Sequence, residues 1–191
     1  IYDIQRKPDL EPWHTFVPQE MQASEIDKAT WNDYIAAEDR IFDAVRLNVT
    51  DKLDPSQQTP LNRYYAKSPL YPDHFSVNWN RSFILKPQGK PKGAVVLLHG
   101  LTDGPYSLHN IAENYQQHGY VAIGIRLPAH GPVPGALTDV EWQDWLAAAR
   151  LAVREAKVLT QKNLPLHIVG FSNGGALALK YALDALDNPA L

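Results

Sequence analysis

Residues 166–175 read LHIVGFSNGG, an apolar run that stops at a serine set between glycines. Leu166, Ile168 and Val169 suit a strand, and the small residues from Gly174 onward let a helix approach a sheet closely. The spacing of Gly170, Ser172 and Gly174 is G-x-S-x-G, the pattern of a sharp turn from a strand into a helix. By composition alone, about one chain in fifteen of this length carries that spacing. Its weight therefore depends on the elements around it. Two readings of Ser172 stand at this point. One is a nucleophile raised at the carboxyl edge of a sheet; the other is an N-cap whose hydroxyl serves only the following helix.

Upstream, GAVVLLHG (93–100) is an unbroken apolar run, as expected of a strand covered on both faces in a parallel sheet. Leu108, Ile111, Ala112 and Tyr115 then share one helical face, with Gly119 placed to end the helix. YVAIGIR (120–126) is a second buried strand, and LHIVGF, likewise taken as buried, is a third. Between these two, Thr138 and Glu141 have the spacing of a capping box. The apolar repeat Trp142, Trp145, Leu146, Ala149, Ala152, Val153 and Ala156 predicts a long helix to about Gln161. Strand, helix, strand, helix, strand, helix is an α/β pattern with a mostly parallel sheet and helices on both faces. The expected division is 1–74, an N-terminal extension, and 75–191, the first part of the core. Within the extension, Pro8, Pro12 and Pro18 argue against helix before residue 29. Thr30, Trp31, Tyr34, Ile35, Glu38, Phe42 and Val45 predict one helix over about 30–47, Glu38 being the one charged residue on its apolar face. Two short strands are expected at 75–79 and 82–85.

Composition limits the function. The chain of 191 residues is 45% hydrophobic and 20% charged, the makeup of one globular domain. A net charge of −3 without basic runs argues against nucleic acid or an anionic membrane surface as partner. No stretch approaches 18 consecutive apolar residues. With no cysteine there is no disulfide, thiolate metal site or cysteine nucleophile, and the seven histidines show no ligand-like spacing. No strand is followed by G-x-G-x-x-G or by a Gly-Lys-Ser/Thr loop, so neither a cofactor nor a metal is expected. The chain starts at Ile1 rather than Met. A processed, soluble protein is the expectation, with a location outside the cytoplasm left open.

Three ordered segments, LLHGLTDGPYS, RLPAHGP and GFSNGG, resemble the α/β-hydrolase fold, in particular its bacterial esterase, lipase and monoacylglycerol-lipase-like serine hydrolases. The resemblance covers about residues 75–185. It implies an acyl-enzyme on Ser172 and a small-molecule acyl substrate, with oxyanion donors at the backbone N–H groups of Leu101 and Asn173. His99, Gly100, Gly170 and Gly174 form the turns, and His130 is likewise a strut. The sequence departs from the family at Ala129, where Gly is common, and at Phe171 and Asn173, where His and Met are frequent. Phe171 is expected to point into the sheet packing.

In this fold the triad runs Ser, acid, His along the chain. The 19 residues after Ser172 hold Asp184 and Asp187 but no histidine. The implied acid and base are then supplied by sequence outside this chain, as a C-terminal fragment or second chain of about 80–130 residues that also brings a cap. LHIVGF would form an exposed edge without it. Asn188 and Pro189 mark a surface loop there. The alternative is a non-catalytic member of the fold that binds a ligand or partner.

Overall fold

The structure, a computed structural model, describes residues 9–160 and 164–188. Its core is a four-stranded sheet of β1 (Phe83–Leu85), β2 (Gly93–Leu98), β3 (Tyr120–Ile125) and β4 (Leu166–Gly170), in the order β1-β3-β2-β4. β2, β3 and β4 are parallel, and β1 runs antiparallel to β3. Residue alternation decides which face each side chain takes. Val95, Leu97 and Ala122 pack under α4 (His109–Gln117). Ala94, Val96, Leu98, Val121, Ile123 and Ile125 face the opposite layer, made by α3 (Trp31–Asn48), α5 (Trp142–Leu159) and α6 (Asn173–Asp187).

α3 starts where the sequence places it. The Thr30 side chain accepts from Asp33 N–H, and the Asp33 side chain returns the bond to Thr30 N–H. Glu38 is buried because it meets Arg126, whose Nε lies 3.3 Å from Glu38 Oε1. The extension is bound to the sheet layer rather than lying loose on it. Ile26, Trp31 and Tyr34 belong to the main core. Asp27 takes Arg150 through two hydrogen bonds of 2.8 and 2.7 Å, and Arg154 donates to Ile26 O at 2.8 Å.

Several expectations are corrected. Two single-turn helices, α1 (Pro12–Thr15) and α2 (Ala23–Ile26), interrupt the lead-in. Pro12 is the first residue of α1, the one helical position where a missing N–H costs nothing. Residues 75–79 form no strand; the Phe75 and Trp79 rings pack tilted against each other and Trp79 stacks on Tyr106, so aromatic packing fixes the segment instead. β1 finds its antiparallel partner in β3. Thr138 does not cap α5: its hydroxyl donates to Gly135 O, and the cap is Glu141 paired with Asp144. Ile111 is exposed, since α4 turns Ala112 rather than Ile111 toward the sheet. β4 is half-exposed rather than buried like β2 and β3, which agrees with the exposed edge expected of LHIVGF, because it has a strand on only one side. Gln161 and Pro189 lie outside the described residues.

Candidate active site

Parallel strands put their following loops at one edge, and the loops after β2, β3 and β4 share an unusual property. Among the described residues, the three non-glycine residues with positive φ are Thr102 (60°), Ala129 (68°) and Ser172 (52°), one in each loop. Such backbone is costly for any residue with a Cβ and concentrates at functional edges. At Ala129, the departure noted in the sequence, the turn adopts a conformation that glycine takes freely, here with alanine.

Ser172 has φ 52° and ψ −117°, and stands at the N-cap position of α6 without making a side-chain cap hydrogen bond. The helix-capping reading of its hydroxyl is therefore set aside. Two glycines make the turn possible. A Cβ on Gly170 would overlap Gly174 O, and a Cβ on Gly174 would overlap Leu98 O and come within 2.7 Å of His99 O. The end of β4 is tied to the end of β2 by Phe171 N–H donating to Leu98 O at 3.0 Å. This brings the Ser172 turn against the His99–Gly104 turn. Phe171 does not enter the sheet packing; it is 61% exposed, with its ring over Gly100, 3.1 Å from where a Gly100 Cβ would stand. The reason is the turn itself, which directs Phe171 outward once β4 has ended.

His99 is fully buried, and its two ring nitrogens have fixed roles. Leu127 N–H donates to Nε2 at 3.0 Å, so Nε2 carries a lone pair and the proton sits on Nδ1, which donates to Gly100 O at 2.9 Å. Asp103 N–H also donates to Gly100 O, at 3.3 Å. In a trans peptide the C=O and N–H point opposite ways. Holding Gly100 O inward therefore turns Leu101 N–H outward. Among the described residues neither Leu101 N–H nor Asn173 N–H donates a hydrogen bond. His130 is buried beside His99, ring centroids 5.0 Å apart, with Nδ1 donating to Pro128 O at 2.9 Å. Beyond Leu101, a cleft of about 330 Å³ is lined by Thr102, Asp103, Gly104, Ala129 and His130 on one side and by Arg63 and Tyr64 of the extension on the other.

Burial lowers the His99 pKa from 6.5 to about 4, outweighing the bond to Gly100 that favours the charged ring; His130 is lowered by burial too. Between those pH values the unfolded chain binds a proton that the folded one refuses. The stability contributed by neutral His99 is complete above about pH 6.5 and is lost as pH falls toward 4, a span on the order of 3 kcal/mol. Urea unfolding at stepped pH should show this slope, and a folded His99→Asn variant should lose most of it; an equal slope in the variant contradicts the assignment.

None of the described histidines bonds to Ser172. His14, His74, His99, His109, His118, His130 and His167 are paired respectively with Glu11 and Trp13, Ser68 O, the Gly100 turn, Glu113, Asn114 O, Pro128 O and Tyr115. No three of the His, Asp and Glu side chains among the described residues group to hold a metal ion, and no described helix is long and apolar enough to cross a membrane.

Residues 89–190 match the family described as Serine aminopeptidase, S33 (Hydrolase_4). The chain belongs to that family. Its sheet, with helices on both faces, is of the α/β-hydrolase fold. Over 88 residues the S33 chain is 32% identical to a thermostable monoacylglycerol lipase of Bacillus sp. (strain H-257), covering 46% of this chain and 34% of that protein. A solved structure described under "LipS and LipT, two metagenome-derived lipolytic enzymes" superposes with a TM-score of 0.52 at 25% identity, over 58% of this chain and 43% of that one. Est1E from Butyrivibrio proteoclasticus gives a TM-score of 0.47 at 21% identity, over 56% of this chain and 44% of that one. The match thus spans about a third of the Bacillus lipase and less than half of each solved structure.

Thr102 escaped the sequence reading, since nothing in LTDG marks a threonine for positive φ. Glu20 and Arg126 escaped it as well, because they are 106 residues apart and meet only in the folded chain.

Proposed function

We propose that this S33 member is a serine hydrolase that cleaves carboxylic esters or related acyl substrates through an acyl-enzyme on Ser172. The observation that carries this reading is the strained, uncapped Ser172 beside two unengaged backbone donors. Ser172 Oγ attacks the acyl carbon and gives up its proton to a general base; the carbonyl oxygen becomes negative and is held by Leu101 N–H and Asn173 N–H. Collapse expels the alcohol, which takes the proton back from the base; water, deprotonated by the same base, then releases the acid and returns the proton to Ser172 Oγ. With the histidines of this chain engaged elsewhere, the base and its acid partner come from sequence beyond it, which also adds a strand beside β4. The Bacillus monoacylglycerol lipase, related over 88 residues, supports the ester class.

Treating the complete protein with a fluorophosphonate probe and measuring intact mass tests the reading. One adduct, at Ser172, is expected. Undiminished labelling of Ser172→Ala would move the nucleophile elsewhere, and no labelling of the parent would favour a non-catalytic binding protein on the same fold.

A further inference from the structure

Glu20 lies in the extended stretch between α1 and α2, outside the residues that match the family. Its side chain is 8% exposed and grips the loop after β3 at three points. Oε1 accepts from Arg126 Nη1 and from Ala129 N–H, each at 2.8 Å, and Oε2 accepts from Arg126 Nη2 at 2.9 Å. Arg126 Nη1 also donates to His130 O at 3.3 Å, so the guanidinium closes the turn from within. Ala129, whose N–H Glu20 holds, is the residue with φ 68°.

The same turn presents Leu127 N–H to His99 Nε2, and His99 in turn holds Gly100 O. We infer that Glu20 is a positioning residue for the oxyanion turn: its carboxylate holds residues 126–130 in the strained conformation that fixes His99 and thereby aims Leu101 N–H. The inference rests on the reading of Leu101 N–H as an oxyanion donor. It gives the extension a part in the chemistry, since the family region alone leaves the Ala129 turn without its anchor.

A carboxylate suits the place because every group meeting it is a donor. Glutamine would keep one acceptor but set its NH₂ against Arg126 Nη2, donor facing donor. Arg126 keeps Glu38 as partner, so the buried cation is not abandoned in such a variant.

The test compares the complete protein with Glu20→Gln and with Glu20→Asp, which keeps the charge on a shorter arm. Nitrogen-15 NMR of the His99 ring and steady-state hydrolysis of p-nitrophenyl butyrate are the two readouts. The parent should show His99 as a single tautomer protonated at Nδ1. In Glu20→Gln the Nε2 resonance should move as the Leu127 bond loosens, and kcat should fall about 10- to 100-fold while KM stays within about twofold. Glu20→Asp should fall between the two. An unshifted Nε2 resonance in a folded variant overturns the inference, as does a shifted resonance with unchanged kcat. Failure of both variants to fold counts against it too, since a positioning role requires the fold to survive. If the parent neither labels nor turns over, the proposed function has failed, and the His99 resonance alone then decides whether Glu20 sets the turn.

Discussion

Alanine at Ser172 is expected to lower kcat of the complete protein on a p-nitrophenyl ester by about a million-fold, the loss seen when a serine nucleophile is removed from a triad. Glycine at the same place should be just as inactive but more stable than the parent. The backbone at φ 52°, ψ −117° costs a residue with a Cβ about 1–3 kcal/mol, of which up to about 1 kcal/mol is returned through the freer unfolded chain of glycine. A net gain of about 1 kcal/mol should raise the melting temperature by about 2–4 °C. Thermal unfolding of parent, Ser172→Ala and Ser172→Gly separates the two effects. If glycine gives no gain over alanine, the turn stores no strain and the stability half of this account is wrong.

The second large effect is on the fold. Gly174→Ala should cost about 3 kcal/mol or more, because the new methyl overlaps Leu98 O and crowds His99 O, both backbone atoms fixed in or next to the central strand β2. α6 then has to lift away from β2, taking Asn173 N–H with it. Gly175→Ala is the matched control: its Cβ would meet nothing closer than Gly170 O at 3.4 Å, an ordinary contact, and alanine favours the helix. Urea denaturation should place Gly174→Ala far below the parent and Gly175→Ala at or above it. Equal stability of the two alanine variants would mean that the close approach of α6 to β2 is not required.

What could be read in advance divides along physical lines. β2, β3, β4, α3, α5 and α6 announce themselves because period and composition are local, and burial on one face or two leaves a mark at each residue. The Ser172 turn is legible for the same reason, since close approach demands glycine at 170 and 174. Some misreadings involve a partner distant in sequence, and one is a local competition. Phe75–Trp79 has strand composition, but Phe75 packs on Trp79 and Trp79 on Tyr106 rather than on a neighbouring strand. Glu141 outcompetes Thr138 as the cap because Thr138 already bonds inside its own turn. Glu38 looks like a blemish on the face of α3 until Arg126, from the end of β3, is placed against it. The anchor of the Ala129 turn is invisible for the same reason.

The grip of the extension on the sheet layer also has a timing. Glu20 to Arg126 spans 106 residues, Ala23 to Asp144 spans 121 and Ile26 to Arg154 spans 128. At a synthesis rate of about 5–20 residues per second, Glu20 is added to the chain on the order of 5–20 s before its arginine. Closing loops that long is entropically slower than pairing β2 with β3 across α4. The extension is therefore made first and docks late, so the Ala129 turn takes its final shape only after the central strands are in place.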